Sequence, residues 1–295
     1  MVPVQKNRKL PKLINNKKYK IRQNMPKKQF FSNWVLLILL VSAMAFWQAV
    51  FIPTTENATC VYFLDVGQGD SEYIRTKEGT NIVIDAGSDA RVLNVLQKVM
   101  PMADKEIDLL VLTHPDKDHI GGIDDILSHY IVHEIWYNGD NDKSQIFKEV
   151  WNAMENEKKD GAEIIVPSKN QTKVFGQDLF SIVYQANNPD DDNANSLVAM
   201  FSEGEWDALF MADLTADYES QIVARDIEIL KIGHHGSKNA TTDWLLNNFK
   251  PETAVISVGK NSYGHPTPEV LDKLSDRNIT IHRTDKEGTI KICNQ

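Results

Sequence analysis

The stretch Leu109-Leu110-Val111-Leu112-Thr113-His114-Pro115-Asp116-Lys117-Asp118-His119-Ile120-Gly121-Gly122 most narrows the folds open to this chain. Four apolar residues in a row read as a buried strand, and Pro115 stops it. Directly past the strand end stand His114, Asp116, Asp118 and His119, four metal-ligand side chains within six positions. Two glycines follow, and then Ile123-Asp124-Asp125-Ile126-Leu127 has helical spacing. Strand, ligand-rich loop and helix in that order is how an α/β protein builds a site at the carboxyl end of a strand. Imidazole combined with carboxylate suits zinc, manganese or iron better than calcium or magnesium. A solvated acidic loop is the ordinary alternative. It does not explain two histidines flanking two aspartates at the end of a buried strand.

Charge is distributed unevenly. Residues 1–28 hold ten Lys or Arg and no acid, and residues 29–55 carry no charge at all. Of 32 basic and 41 acidic residues, the segment from 56 onward therefore holds 22 and 41, a net of −19. That part lacks the positive field that draws in long polyanions. The uncharged run Phe30 to Ile52 is long enough to cross a hydrocarbon core of roughly 30 Å, and Trp34 and Trp47 stand where an aromatic belt would put them. We expect a basic cytoplasmic tail over 1–29, a single transmembrane anchor over 30–52 and an extracytoplasmic domain over 57–295, oriented by the positive-inside rule. A cleaved signal peptide is the competing reading, though the apolar run is long for one. Cys60 and Cys293 are the only cysteines, which excludes a disulfide framework and a thiolate zinc site. They either pair with each other, as an extracytoplasmic domain permits, or remain free.

From Thr59 onward short strands alternate with helices, in groups that suggest two sheets with helices outside them. Strands are expected at Cys60–Val66, Ser71–Arg75, Asn81–Asp85, Glu134–Tyr137, Ile164–Val166 and Leu179–Tyr184. A hairpin is expected over Ser196–Phe201 and Trp206–Met211, and helices over Lys143–Lys159, Thr215–Arg225, Thr242–Phe249 and Pro268–Leu274. Further strands are expected at Ile227–Ile232, Ala254–Val258, Ile279–His282 and Thr289–Ile292. Three strand ends besides the central one deliver ligand-type residues: Asp213 after Phe210-Met211-Ala212, His234-His235 after Ile229 to Gly233, and His265 in Tyr263-Gly264-His265-Pro266. His129, His133 and His282 sit in ordinary elements, and Trp136, Trp151, Trp206 and Trp244 read as core or helix-face residues.

Taken together these residues resemble the metallo-β-lactamase superfamily and, within it, the extracellular hydrolase domain of ComEC-type competence proteins. The resemblance rests on Phe63 to Asp70, Ile84-Asp85-Ala86-Gly87, the His114–Gly122 motif, Asn193 to Val198, Leu209 to Leu214, Leu230 to Ser237, Tyr263 to Pro266 and Arg283-Thr284-Asp285. It implies a four-layer αββα sandwich and a metal-dependent hydrolase, with phosphodiesterase or nuclease activity leading. One or two divalent ions, zinc or manganese, would be held by His114, Asp116, Asp118, His119, Asp213 and His235. Asp118, His234 and His265 would take part in catalysis, and His234, His265, Asn193 and Ser237 would meet the substrate. Asp65, Asp70 and Asp85 would orient ligating histidines. The chain departs from many superfamily members in having Asp116 and Asn193 where they have histidines, and it lacks the multi-helix channel of ComEC proteins. Alternatives are an esterase or lactamase acting on envelope components, and a metal- or partner-binding module without turnover.

Overall fold

The computed structural model describes residues 33–44, 58–186 and 191–294. The chain divides into two compact units, Met1–Ile52 and Pro53–Gln295. In the first, residues 33–44 form helix α1, along which Trp34 to Val41 are exposed. Among the described residues no helix is long and apolar enough to cross a membrane. The basic tail and the remainder of the expected anchor lie outside the described residues.

The second unit begins with strands β1 (Cys60–Phe63), β2 (Glu72–Arg75) and β3 (Asn81–Ile84), followed by α2 (Arg91–Val99), β4 (Glu106–Ile107) and β5 (Leu109–Leu112). The motif loop leads into α3 (Lys117–Ile120) and α4 (Ile123–His129), then β6 (Ile131–Val132), β7 (Glu134–Tyr137), α5 (Gln145–Asp160) and β8 (Glu163–Ile165). The second half runs β9 (Thr172–Phe175), β10 (Asp178–Tyr184), β11 (Val198–Glu203), β12 (Trp206–Phe210), α6 (Ala216–Glu219), β13 (Ile229–Lys231) and α7 (Asp243–Phe249). It closes with β14 (Thr253–Ile256), α8 (Pro268–Ser275), β15 (Thr280–Arg283), α9 (Thr284–Glu287) and β16 (Ile290–Cys293).

Two seven-stranded sheets result, ordered β16-β1-β2-β3-β5-β7-β8 and β15-β14-β13-β12-β11-β10-β9. Strand side chains alternate between faces, and this explains the unbroken apolar run Leu109–Leu112. Leu109 and Val111 enter the layer between the sheets with Phe63, Phe180, Phe201 and Phe210. Leu110 and Leu112 face outward, against Leu96 of α2, Ile126 of α4 and Val150 of α5. The second sheet is covered likewise by Leu245 and Phe249 of α7 and by Val270 and Leu274 of α8. The layers are therefore helix, sheet, sheet, helix. Each such buried side chain contributes roughly 1.5–3 kcal/mol.

Local chemistry fixes the elements. The Ser144 hydroxyl caps α5 by accepting from the Phe147 N–H at 3.2 Å, and Phe147, Val150 and Met154 form its buried stripe. Gly161, at φ 116°, ends it. Cys60 lies opposite Cys293 across β1 and β16, and the two form a disulfide. One expectation is corrected. The helix over Thr215–Arg225 is only the single turn Ala216–Glu219. Its buried Glu219 carboxylate accepts from Thr241, Thr242 and the Thr242 hydroxyl, which ties the chain to the start of α7, and Val223 is left 75% exposed. Strand β9 is not expected from the sequence, because Thr172-Lys173-Val174-Phe175 shows no apolar alternation.

Candidate metal centre

Parallel strands send their carboxyl ends to one edge of a sheet. In the first sheet β3, β5 and β7 are parallel; in the second β12, β13 and β14 are parallel. Asp85 follows β3, His114 follows β5, Asp213 follows β12 and His234-His235 follow β13. At three of these ends the chain turns through left-handed backbone, at Asp85 (φ 54°), Ala212 (φ 47°), and His234 and His235 (φ 48° and 53°). Non-glycine residues held there store strain that surrounding packing must sustain. The Gly67–Asp70 turn closes over the motif, with the Asp70 N–H donating to Asp118 O at 3.1 Å. A Cβ at Gly69 would sit 2.2 Å from that same oxygen, so the turn requires glycine.

Three histidines are fixed by their Nδ1 atoms. His119 Nδ1 lies 2.7 Å from Asp85 Oδ2. The Thr113 hydroxyl donates to Asp85 Oδ2 at 2.6 Å and so accepts from His114 Nδ1 at 3.0 Å. His235 Nδ1 donates to the Ser257 carbonyl at 2.9 Å, with Asp70 Oδ1 at 3.1 Å. Every Nδ1 is thus committed as a donor, and Nε2 is the ring atom turned to the centre. His114 Nε2, His119 Nε2, His235 Nε2 and Asp213 Oδ1 are all buried, and none has a hydrogen-bond partner among the described residues. They nevertheless converge. His119 Nε2 is 3.4 Å from Asp213 Oδ1, while His235 Nε2 is 3.2 Å from Asp118 Oδ2 and 3.8 Å from Asp213 Oδ2. Three overlapping triads have ligand atoms within 4.8 Å of one another: His114, His119 and Asp213; Asp118, His119 and His235; Asp70, Asp213 and His235.

A buried polar atom without a partner costs free energy, and four aimed at one point fit a cation. The electrostatics agree. Burial raises the pKa of Asp213, yet the His235 and His119 rings overcome it and hold this carboxyl well below the usual range. Asp118 is lowered in the same way, by the nearby His235 and His119 rings against burial. Burial disfavours the charged His235, but Asp213 and Asp70 push its pKa up to about 10. His119 is likewise raised well above 6.5 against burial, by Asp213 and Asp85. In the metal-free protein these protons stand where a cation would.

The remaining expected residues are placed unevenly. Asp116 has its carboxylate 3.7 Å from His114 Nε2 but is 47% exposed and joins none of the three triads. His234 lies at the mouth, its Nε2 3.7 Å from Asp213 Oδ2, and its ring is 5.7 Å from that of His265. Burial and the neighbouring His234 lower the pKa of His265. Asn193 lies in the short turn Asn193–Asn195, whose chain continues to the Leu197 N–H bonded to Thr113 O at 3.0 Å. Asp65 forms no hydrogen bond or ion pair with a histidine among the described residues; its carboxylate accepts the Gly67 N–H at 3.3 Å. The Ser237 hydroxyl accepts the Asn239 N–H at 3.3 Å. His133 and His282 pair with surface acids, Glu106 and Glu287, and His129 bonds within α4.

Sequence reading missed Lys231 and Glu72. Lys231, 1% exposed, pairs with Asp70 and donates to Ile232 O at 3.1 Å. Glu72, also buried, has its pKa raised well above the usual range by burial and by Asp70. A lysine inside the apolar run Ile229-Leu230-Lys231-Ile232 was the available signal, since such a residue is buried only with a partner.

The sequence pattern of the metallo-beta-lactamase superfamily matches residues 64–260. ComE operon protein 3 of Bacillus subtilis is 29% identical over 268 residues, 81% of this chain and 33% of that protein. Recombination protein 2 of Haemophilus influenzae is 28% identical over 264 residues, 87% and 31% of the two chains. Competence protein ComA of Neisseria gonorrhoeae is 27% identical over 267 residues, 86% and 35%. This chain spans about a third of the length of these relatives. Among solved structures, the metallo-beta-lactamase fold protein YhfI of Bacillus subtilis superposes with a TM-score of 0.56 at 10% identity, over 80% of this chain and 100% of YhfI. CmlA, a diiron beta-hydroxylase from Streptomyces venezuelae, gives 0.55 at 13% identity, over 80% and 54%. At such identities the likeness is one of fold. By the match over residues 64–260, the chain belongs to the metallo-beta-lactamase superfamily.

Proposed function

We propose that this chain is a membrane-anchored, metal-dependent phosphodiesterase with nucleic acid as its leading substrate class, working on the extracytoplasmic side. The observation that carries the reading is the convergence of four buried, partnerless donor atoms, His114 Nε2, His119 Nε2, His235 Nε2 and Asp213 Oδ1. With Asp118 they would hold one or two divalent ions, zinc or manganese. Such an ion, when bound, brings the pKa of a coordinated water near neutrality and polarises a phosphoryl oxygen.

The protein's own part is orientation and proton handling. Asp85, Thr113 and the Ser257 carbonyl hold the three imidazoles by Nδ1, so that each presents Nε2 without reorganisation. His234 Nδ1 and His265 Nδ1 are buried without partners among the described residues. A phosphate oxygen at the mouth would satisfy both, and His234 is placed to pass a proton to the leaving oxygen. Relatives named for competence and recombination support a nucleic-acid substrate. The Cys60–Cys293 disulfide supports an oxidising compartment, and the cation-rich tail before an uncharged run supports anchoring through residues 30–52.

Elemental analysis, followed by assay of a generic phosphodiester, single-stranded DNA and a β-lactam, tests the reading. Metal-dependent cleavage of the diester is expected, and turnover of the β-lactam alone would overturn it. Asp118→Ala and His119→Ala should abolish hydrolysis in folded protein; near wild-type activity in both refutes the assigned ligands. His234→Ala should keep metal and lose rate.

A further inference from the structure

Beside the metal centre lies a second feature, an open cavity of about 730 Å³ lined by Tyr137, Asp140, Lys143, Phe147, Lys148 and Trp151. Its position follows from the sheet. Strand β7 runs parallel to β5, with Tyr137 opposite Leu112, so the chain leaving Tyr137 starts one strand spacing, about 4.8 Å, from the chain that delivers His114. Asp140 lines the cavity on that side. It accepts from the Asn138 amide at 2.6 Å and from the Asn195 amide at 3.1 Å, and His114 lies close enough to act on its charge.

The lining combines two chemistries. Trp151 lies edge-on to Tyr137, ring centroids 5.5 Å apart, and stacks with Phe147 at 6.2 Å. Trp151 and Tyr137 are only partly buried, although both pack against the core. Lys143 and Lys148 are exposed at its rim, where Asp142 also lines the cavity and its carboxyl is lowered by its hydrogen bond to Ser144 and in part by Lys148; neither lysine forms an ion pair among the described residues. Half-buried aromatic rings and two exposed lysines thus share one cavity. Aromatic faces flanked by cations are how proteins hold unpaired bases while tracking the backbone. Trp151 packs against the core from α5, as expected of a helix-face residue, and its free edge lines the cavity.

We infer that this groove is a base-stacking subsite for single-stranded nucleic acid. It takes one or two bases next to the scissile phosphodiester on Trp151 and Tyr137, with flanking phosphates at Lys143 and Lys148. The inference rests on the phosphodiesterase reading and extends it from the bond cleaved to the strand carrying it.

The test compares cleavage by the metal-loaded full chain of a single-stranded oligonucleotide and an abasic strand of equal length and charge. The wild type should prefer the base-bearing strand in kcat/KM. Trp151→Ala should lower that preference about 10-fold, and Trp151→Phe should restore most of it. Lys143→Gln with Lys148→Gln, two exposed positions whose exchange does not threaten folding, should weaken both strands alike and flatten the salt dependence. Equal cleavage of the two strands by the wild type overturns the subsite and leaves the phosphodiesterase reading standing. An unchanged preference in folded Trp151→Ala does the same. Cleavage of neither strand by metal-loaded protein overturns both.

Discussion

Asp85→Asn isolates the part of the site that never touches substrate. Asp85 is 1% exposed, and each of its oxygens receives an N–H: Thr113 N donates to Oδ1 at 2.9 Å, and His119 Nδ1 lies 2.7 Å from Oδ2. An asparagine can accept at one oxygen only. Turned toward His119, its NH2 opposes the Thr113 N–H, and a buried donor without a partner costs about 1–3 kcal/mol. Turned toward Thr113, its NH2 opposes His119 Nδ1, which must then become the acceptor. The ring proton moves to Nε2 and blocks the ligand atom. Loss of such supporting partners lowers metal affinity about 10–100-fold, equivalent to roughly 1.4–2.8 kcal/mol. Competition with a chromophoric chelator should show that loss. Thermal unfolding of the metal-free protein should drop by about 2–12 °C, at 2–4 °C per kcal/mol for a domain of this size. Metal affinity within threefold of wild type together with an unchanged Tm would refute the argument that Asp85 sets the His119 tautomer.

The other expected outcomes concern protons, a buried charge and a crosslink. The folded metal-free protein holds protons on His119 and His235 above the ordinary 6.5, His235 up to about 10. The stability they lend is complete below about pH 6.5 and lost as pH rises toward 10. Metal-free Tm should therefore fall across that window, loaded protein should fall less, and calorimetry in two buffers should show proton release on metal binding. Lys231→Met leaves the Asp70 carboxylate buried beside Glu72 without its cation, and denaturant titration should show a loss of about 3–5 kcal/mol. Reducing the Cys60–Cys293 bond, which spans 233 residues, should cost about 2–5 kcal/mol in the same titration. Thiol counting before reduction should find no free cysteine.

Much of this protein was legible in its sequence because its signals are local. The run Leu109–Leu112 announces a strand covered on both faces, and Pro115 with the following histidines and aspartates announces a loop that does more than turn. Asp213 and the His234-His235 pair were readable in the same way, as ligand types at the ends of apolar runs. Position along the chain misled where contact decides. Asp65 stands beside motif residues yet bonds within its own turn, and the Asp116 side chain, inside the motif, stays half exposed 3.7 Å from His114 Nε2.

The pairing of Lys231 was invisible because a charge inside an apolar strand calls for a partner without naming it, and here that partner is Asp70, 161 residues away. The aromatic groove was missed for the same reason, since Trp151 on α5 acquires its meaning only from Tyr137 on the neighbouring β7. Sequence alone determined the strand-and-helix alternation, the ligand types and the acidic character of the domain, all properties of residues and near neighbours. Only the tertiary structure decided that β5, β12 and β13 deliver His114, His119, Asp213 and His235 to one point with every Nδ1 already bonded. Parallel pairing and sheet stacking bring together atoms far apart along the chain, and convergence of that kind is a property of the folded whole.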